Sequence, residues 1–324
     1  MNHLDKYSLA LAEYLDDAVR VKEPTQLYEP VKYILTLGGK RLRPVLTLMT
    51  ADFFADEFIN AMNAALAVEL FHNFSLIHDD IMDNAPLRRG QITVHEKWDI
   101  NTGILSGDVM LILAYQLFET YSAELFQQLA KLFSKTAIEV CEGQQYDVDF
   151  ESRSDVTLPE YIKMIDYKTA VLIGAAMKMG AIVAGASESC QDGIYDFGRN
   201  LGIAFQLQDD YLDAFGNPET FGKQVGGDII ANKKTFLYLK AVENSSEKEA
   251  QSLRALFLET PEDPSEKIRA TKEIFKNSGA ALATILEIEK YTNEATTILD
   301  TIDISEENKN KLQEFGEWLM KRTV

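Results

Sequence analysis

Ser75-Leu76-Ile77-His78-Asp79-Asp80-Ile81-Met82-Asp83 and Phe205-Gln206-Leu207-Gln208-Asp209-Asp210-Tyr211-Leu212-Asp213 are two copies of one pattern. An apolar turn runs into Asp-Asp-x-x-Asp, and the copies lie well over a hundred residues apart. Each sits in an apolar segment whose spacing predicts a helix. Residues i and i+4 share a helix face, so Asp79 projects with Asp83 and Asp209 with Asp213. Each motif therefore offers a cluster of hard oxygen ligands. Six carboxylates converging on one cavity repel one another in a medium of low dielectric, so the pattern makes sense when Mg²⁺ and an anionic substrate complete it.

Outward from the motifs the helical spacing continues. The prolines, at 24, 30, 44, 86, 159, 218, 261 and 264, fall between long periodic segments. Start signals agree: Thr157-Leu158-Pro159-Glu160 reads as a capping box, Asp263-Pro264-Ser265-Glu266 as a cap with proline in the first turn, and Ser305 precedes Glu306 and Glu307. The spacing predicts helices over 4–20, 25–37, 42–56, 58–83, 101–121, 123–149, 159–186, 191–215, 228–245, 247–258, 265–277, 279–301 and 305–322. Alternating β-branched runs are absent, so the expected fold is all-α, a many-helix bundle around two central helices that carry the aspartates. No Gly/Ser- or Pro-rich linker divides the chain, and one domain over 1–324 is expected.

The 324 residues are 46% hydrophobic and 26% charged, which provides for a large core and argues against disorder. A net charge of -19 argues against a nucleic-acid partner, because phosphate backbones need a basic footprint. Only Cys141 and Cys190 are present, so a reducing compartment, the cytoplasm, is expected. The acidic N-terminal stretch, with Asp5, Glu13, Asp16 and Asp17, lacks signal-peptide character, and no uninterrupted apolar run reaches about 18 residues. A soluble protein that is not integral to a membrane is the expectation.

Carboxylates alone do not hold a multiply anionic ligand; the cations are supplied elsewhere. Gly38-Gly39-Lys40-Arg41-Leu42-Arg43-Pro44 places Lys40 and Arg43 at i, i+3 behind two permissive glycines, in the manner of a phosphate clamp. Arg88 and Arg89, followed by Gly90, come just after the first motif, and the planar guanidinium fork suits phosphate oxygens. Tyr167-Lys168-Thr169-Ala170 puts one lysine into a helix otherwise rich in small and apolar residues. After the second motif come Phe221-Gly222-Lys223-Gln224-Val225-Gly226-Gly227-Asp228 and Asn232-Lys233-Lys234-Thr235, where the glycines suggest a flexible loop.

Taken in order, Gly-Gly-Lys-x-x-Arg, the first aspartate motif, Arg-Arg-Gly, Gly143-Gln144, Lys168-Thr169, Gln206 with the second motif, Gly222-Lys223 and Asn232-Lys233 resemble the trans-isoprenyl diphosphate synthases. The resemblance spans about residues 38 to 235; beyond it only helical pattern and Ser278-Gly279-Ala280 speak. It implies a Mg²⁺-dependent prenyltransferase that joins isopentenyl diphosphate to an allylic diphosphate, with three ions bridging the allylic headgroup. By that resemblance Asp79, Asp83 and Asp209 are direct metal ligands, and Asp80, Asp210 and Asp213 act through water or as supports. Arg88, Lys168, Gln206 and Lys223, with Lys233 beside them, match positions that hold the allylic diphosphate. Lys40, Arg43, His72 and Arg89 match those for isopentenyl diphosphate. Oxygen dipoles at Lys168, Thr169 and Gln206 match those that face the allylic cation, and the departing diphosphate takes the final proton, so no side-chain base is required. A homodimer is also implied, for which the apolar segment 101–121 is a candidate interface.

Phe74 lies five residues before Asp79, about one and a half helical turns deeper, and Ser75 lies four before. An aromatic floor there resembles the short-chain members, so farnesyl or geranylgeranyl diphosphate is the expected product, with longer polyprenyl products the alternative. A class I terpene cyclase shares the fold and first motif, but its second motif usually reads Asn/Asp, Ser/Thr and Glu at wider spacing. A di-iron bundle needs a second Glu-x-x-His besides Glu69-Leu70-Phe71-His72, and His3, His78 and His95 supply none. An inactive regulatory subunit is expected to have lost some of these residues, and none is lost.

Overall fold

Periodic apolar spacing with capped ends produces helices almost throughout. The computed structural model describes residues 2–18, 20–55, 57–217 and 225–320. In chain order these form α1 (Asn2–Ala18), α2 (Thr25–Thr36), α3 (Leu42–Ala55), α4 (Met62–Met82), α5 (Val94–Lys97), α6 (Ile100–Phe118), α7 (Ala123–Ser152), α8 (Leu158–Ile165), α9 (Val171–Val183) and α10 (Glu188–Phe215). There follow α11 (Gly227–Ile230), α12 (Phe236–Asn244), α13 (Glu247–Leu256), α14 (Ser265–Asn277), α15 (Ala280–Leu299) and α16 (Glu306–Met320). The fold is all-α, as the spacing predicts. Contacts group the chain into two compact units, Met1–Lys135 with Ala175–Asp192, and Thr136–Gly174 with Gly193–Val324.

In the first unit α4 is the central element. Ala64 through Leu70 are all buried, so the helix is apolar around its circumference and packs against α3 and α6. Near its middle Phe71 meets Phe133 at 5.2 Å edge to face, and Phe133 meets Phe118 at 5.3 Å and Tyr115 at 4.8 Å. Such contacts add about 0.5–1.5 kcal/mol each to area burial.

The second unit packs Tyr161, Met164, Leu207, Ala214, Phe236, Leu237, Leu253 and Phe275 into one core. The Thr157–Glu160 capping box starts α8: Glu160 Oε2 accepts from Thr157 N at 2.9 Å and Thr157 Oγ1 accepts from Glu160 N at 3.4 Å. Ser305 Oγ caps α16 through Asn308 N. At α14, however, Pro264 occupies the cap position rather than the first turn, and Asp263 accepts from Ser265 N and Oγ.

Four local departures from the sequence expectation matter. Residues 58–61 form a 3₁₀ turn before α4. Leu87–Arg88 and Gln91–Ile92 pair as an antiparallel ribbon, β1–β2, around a left-handed Arg89-Gly90 turn. The segment predicted as one helix over 159–186 contains a π-helical turn at Asp166–Ala170, where each N–H reaches one residue further back. The segment predicted as one helix over 228–245 breaks into α11 and α12, because Asn232 takes a left-handed φ of 59° that an α-helix does not allow.

Candidate active site

The first aspartate motif occupies the last turn of α4. Asp79 and Asp80 are helical, and Asp83 is the C-cap, its N–H donating to the Asp79 carbonyl at 2.8 Å. Carboxylates at a helix C-terminus oppose the macrodipole, an arrangement that an external cation offsets. The three differ in setting. Asp80 is 1% exposed and takes Arg88 from β1, with Nε at 2.8 Å from both oxygens and Nη2 at 2.6 Å from Oδ1. Asp79 is half-buried and Asp83 exposed.

A basic cluster surrounds the middle of α4. Arg43, from the first turn of α3, places Nη1 3.2 Å from His72 Nε2, while its Nε is buried without a hydrogen-bond partner. Arg89 donates to the Gly38 carbonyl, and its guanidinium lies where a side chain on Gly39 would stand, 2.5 Å from that would-be Cβ. Gly38 and Gly39 both take positive φ, 75° and 116°, which favours glycine at each, and at Gly39 the bare backbone also leaves room for the guanidinium. Arg41 donates to the Leu35 carbonyl at 2.8 Å. Glu69, 3% exposed and held by Asn73 Nδ2 at 3.0 Å, is the counter-ion; burial raises its pKa, and Arg41, Arg43 and Arg89 oppose the rise. Burial, with Arg89 adding to it, pushes Arg43 down to about 10. Burial followed by the charges of Arg43, Arg89 and Arg88 holds His72 well below its ordinary value. Lys40 is exposed on the adjoining loop.

The second motif lines a cavity in the second unit. Asp209, Asp210 and Asp213 come from α10, Asp228 from α11, Asp147 and Glu151 from α7, and Lys168 and Thr169 from the π turn. Lys233, Lys234 and Thr235 come from the break before α12. Lys168 Nζ pairs with Asp147 Oδ2 at 2.6 Å. Thr169 Oγ1 donates to Gln206 Oε1 at 3.1 Å, and Gln206 Nε2 donates to Asp210 Oδ1 at 2.9 Å. Tyr161 donates its hydroxyl to the other Asp210 oxygen. Burial, then the neighbouring Asp228, raises the Asp210 pKa well above the usual carboxylate range. Asp213 Oδ2 accepts from Asp228 N at 2.9 Å. Lys234 Nζ donates to the Phe150 and Glu151 carbonyls at 2.7 and 3.0 Å, closing the end of α7.

The π turn exists because its surroundings fix it. Arg199 on α10 grips Asp166 with Nε and Nη2 at 2.7 and 2.5 Å, and Gly143 on α7 lies so close to the Lys168 backbone that no side chain fits. Single π turns inside helices recur at functional sites.

The predicted residues thus fall into three places. Lys168, Thr169, Gln206, Asp209, Asp210, Asp213 and Lys233 share the cavity; Asp79, Asp80, Asp83 and Arg88 gather at the end of α4; Arg43, His72 and Arg89 form the basic cluster. Lys223 lies outside the described residues. Phe74 is half-buried, 4.8 Å from the His78 ring and 5.6 Å from that of Phe71, and Ser75 turns its hydroxyl onto the His72 carbonyl at 2.9 Å. Sequence reasoning assigned no role to Asp147, Tyr161, Asp228, Lys234 or Arg41, and weighed Glu69 only as half of a di-iron pair. Asp228 and Lys234 adjoin singled-out residues and were within reach; Asp147 and Tyr161 carry no local signal. Among the described residues no three acids or histidines close on one point tightly enough to hold an ion unaided. Mg²⁺ keeps several waters and takes oxygens from substrate phosphates, so one or two carboxylates per ion suit it. The all-oxygen donor set of both motifs fits that cation.

Residues 24–274 match the family model for polyprenyl synthetase. A short chain isoprenyl diphosphate synthase of Methanothermobacter thermautotrophicus is 37% identical over 310 residues, covering 94% of each chain. A geranylgeranyl pyrophosphate synthase of Geoglobus acetivorans is 36% identical, covering 96% of this chain and 95% of its own. The crystal structure of a geranylgeranyl pyrophosphate synthase superposes with a TM-score of 0.96 at 55% identity, covering both chains completely. The chain belongs to the polyprenyl synthetase family, and as an isoprenyl diphosphate synthase of the short-chain kind it is a prenyltransferase.

Proposed function

We propose that the enzyme condenses isopentenyl diphosphate with an allylic diphosphate in the presence of Mg²⁺, and that its main product is geranylgeranyl diphosphate. One observation carries the metal requirement. Six acids against three lysines line the cavity, so a diphosphate entering it meets excess negative charge unless divalent cations accompany it. Asp79, Asp83 and Asp209 would hold those ions, three by family resemblance, with Asp80, Asp210 and Asp213 as supports or ligands through water. When bound, Mg²⁺ supplies Lewis-acid charge that stabilises the departing diphosphate.

The protein's own residues orient and shield. Lys168, Arg88, Gln206 and Lys233, with Lys223, hold the allylic headgroup. Thr169 Oγ and Gln206 Oε1 turn their dipoles toward the allylic cation as the C–O bond breaks. Lys40, Arg43, His72 and Arg89 hold isopentenyl diphosphate, for which the partnerless buried Nε of Arg43 is a ready donor. The isopentenyl double bond attacks the cation, and the released diphosphate takes the proton.

Geranylgeranyl is favoured over farnesyl because the relatives at 36% and 55% identity carry that name. Phe74 sets the depth, with Ser75 beside it. A homodimer through α6 fits the exposure of Ile100, Ile104, Leu105 and Ile112 along that helix. By length and composition alone α6 is also long and apolar enough to cross a membrane, and a protein partner accounts for the same surface. Two free thiols accord with a cytoplasmic setting. The test is incubation of purified protein with Mg²⁺, isopentenyl diphosphate and each allylic primer, followed by chromatography of the dephosphorylated products. A C20 alcohol is expected; no elongation of any primer would overturn the reading.

A further inference from the structure

One buried lysine has no part in this chemistry. Lys267 on α14 is 3% exposed, and burial lowers its pKa. An ammonium withdrawn from water costs several kcal/mol unless its donors are used. Its Nζ donates to Asn232 Oδ1 at 2.5 Å and to the Glu259 carbonyl at 2.8 Å, and stands 5.7 Å from the Phe257 ring centroid. Both hydrogen-bond acceptors are neutral oxygens, and the Glu259 carboxylate acts on the amine through its charge, opposing the effect of burial.

Asn232 is the residue whose left-handed φ of 59° ends α11 and turns the chain. Directly after it Lys233 N donates to the Asp228 carbonyl at 2.9 Å, and Lys233, Lys234 and Thr235 line the acidic cavity. A non-glycine residue in that conformation carries a penalty of about 1 kcal/mol or more, and a fixed side-chain hydrogen bond offsets it. The neighbouring Ile268 lies against Gly226 at the other end of the same segment. The segment 226–232 is thus seated on α14 at both ends.

We infer that Lys267 is a positioning residue: by holding Asn232 Oδ1 it fixes the turn that sets Lys233 at the cavity for the allylic diphosphate. The inference rests on the prenyl-transfer reading and deepens it. Replacing a buried charge by an apolar side chain of similar length often leaves stability unchanged, and half-buried Asn232 can turn to water. The loss therefore falls on positioning rather than on folding.

Steady-state kinetics of wild type, Lys267→Met, Asn232→Ala and the double variant, with isopentenyl and farnesyl diphosphates, provide the test. Expected is an allylic KM raised about tenfold in each single variant and no further in the double, with the isopentenyl KM within about twofold of wild type. Thermal melting reports the fold; if Lys267→Met does not fold, Asn232→Ala carries the test alone. An active wild type with allylic KM unchanged in the folded variants, or with both KM values raised alike, overturns the tether alone. An inactive wild type overturns the prenyl-transfer reading and the tether with it.

Discussion

The basic cluster around α4 and the acidic cavity around α10 are opposite solutions to one electrostatic problem. In the cluster, burial and neighbouring guanidinium groups drive His72 toward its neutral form and bring Arg43 down to about 10. In the cavity, burial and neighbouring aspartates drive Asp210 toward its protonated form. Each site disfavours its own charge until a ligand of opposite sign arrives. The cluster can take an anion directly. The cavity, with six acids against three lysines, favours cations before an anion, which is the basis of the proposal that Mg²⁺ accompanies the allylic headgroup.

The two aspartate motifs repeat the contrast on a smaller scale. Asp80 is paired with a guanidinium, whereas Asp210 accepts hydrogen bonds from a phenol and an amide, although both are the second aspartate of the same pattern. The largest expected effect lies outside that pair: Asp209→Ala, which removes a proposed ligand, is expected to lower kcat by about a thousandfold while leaving the melting temperature unchanged or higher, since like charges are relieved. Near-normal turnover would refute the metal role. Next, Asp80→Asn is expected to destabilise by about 3 kcal/mol, because Arg88 loses its carboxylate, whereas Asp210→Asn is expected to cost little, because its neutral form is already favoured. Equal losses on urea unfolding would break the comparison.

A third effect is smaller. The folded-state pKa of His72 lies below its unfolded value of about 6.5, so the stability tied to its neutral ring is present above that pH. It is lost as pH falls toward the folded value. His72→Gln is expected to flatten the acid limb of the stability profile below about pH 6.5 by roughly 1 kcal/mol, and an unchanged limb would place the titration elsewhere. Last, Phe74→Ala is expected to shift products toward longer chains with turnover kept within about tenfold. An unchanged product spectrum would remove Phe74 as the floor.

Helix positions followed closely from spacing and punctuation, since both are local: the Thr157–Glu160 box and the Ser305 cap stand where their residues predict. Both aspartate motifs were legible for the same reason, a carboxylate pattern at helical spacing. The break at Asn232 was not, because nothing in Ile229-Ile230-Ala231-Asn232 forbids a helix; Lys267, far along the chain, supplies the bond that favours the turn. Nor was the π turn, which depends on Arg199 and on the bare backbone of Gly143. The partners of the acids, Tyr161 for Asp210 and Asp147 for Lys168, come from other helices and share no spacing with them.

By itself, then, the sequence determined an all-α chain and made its two aspartate motifs and the basic residues proposed to match them legible, because periodicity and side-chain type act over a few residues. Tertiary structure alone decided which aspartate is buried against what, where helices break to aim Lys168 and Lys233, and which charges are pushed toward neutrality. Those outcomes depend on burial and on atoms contributed by segments remote along the chain, and neither is written in any local pattern.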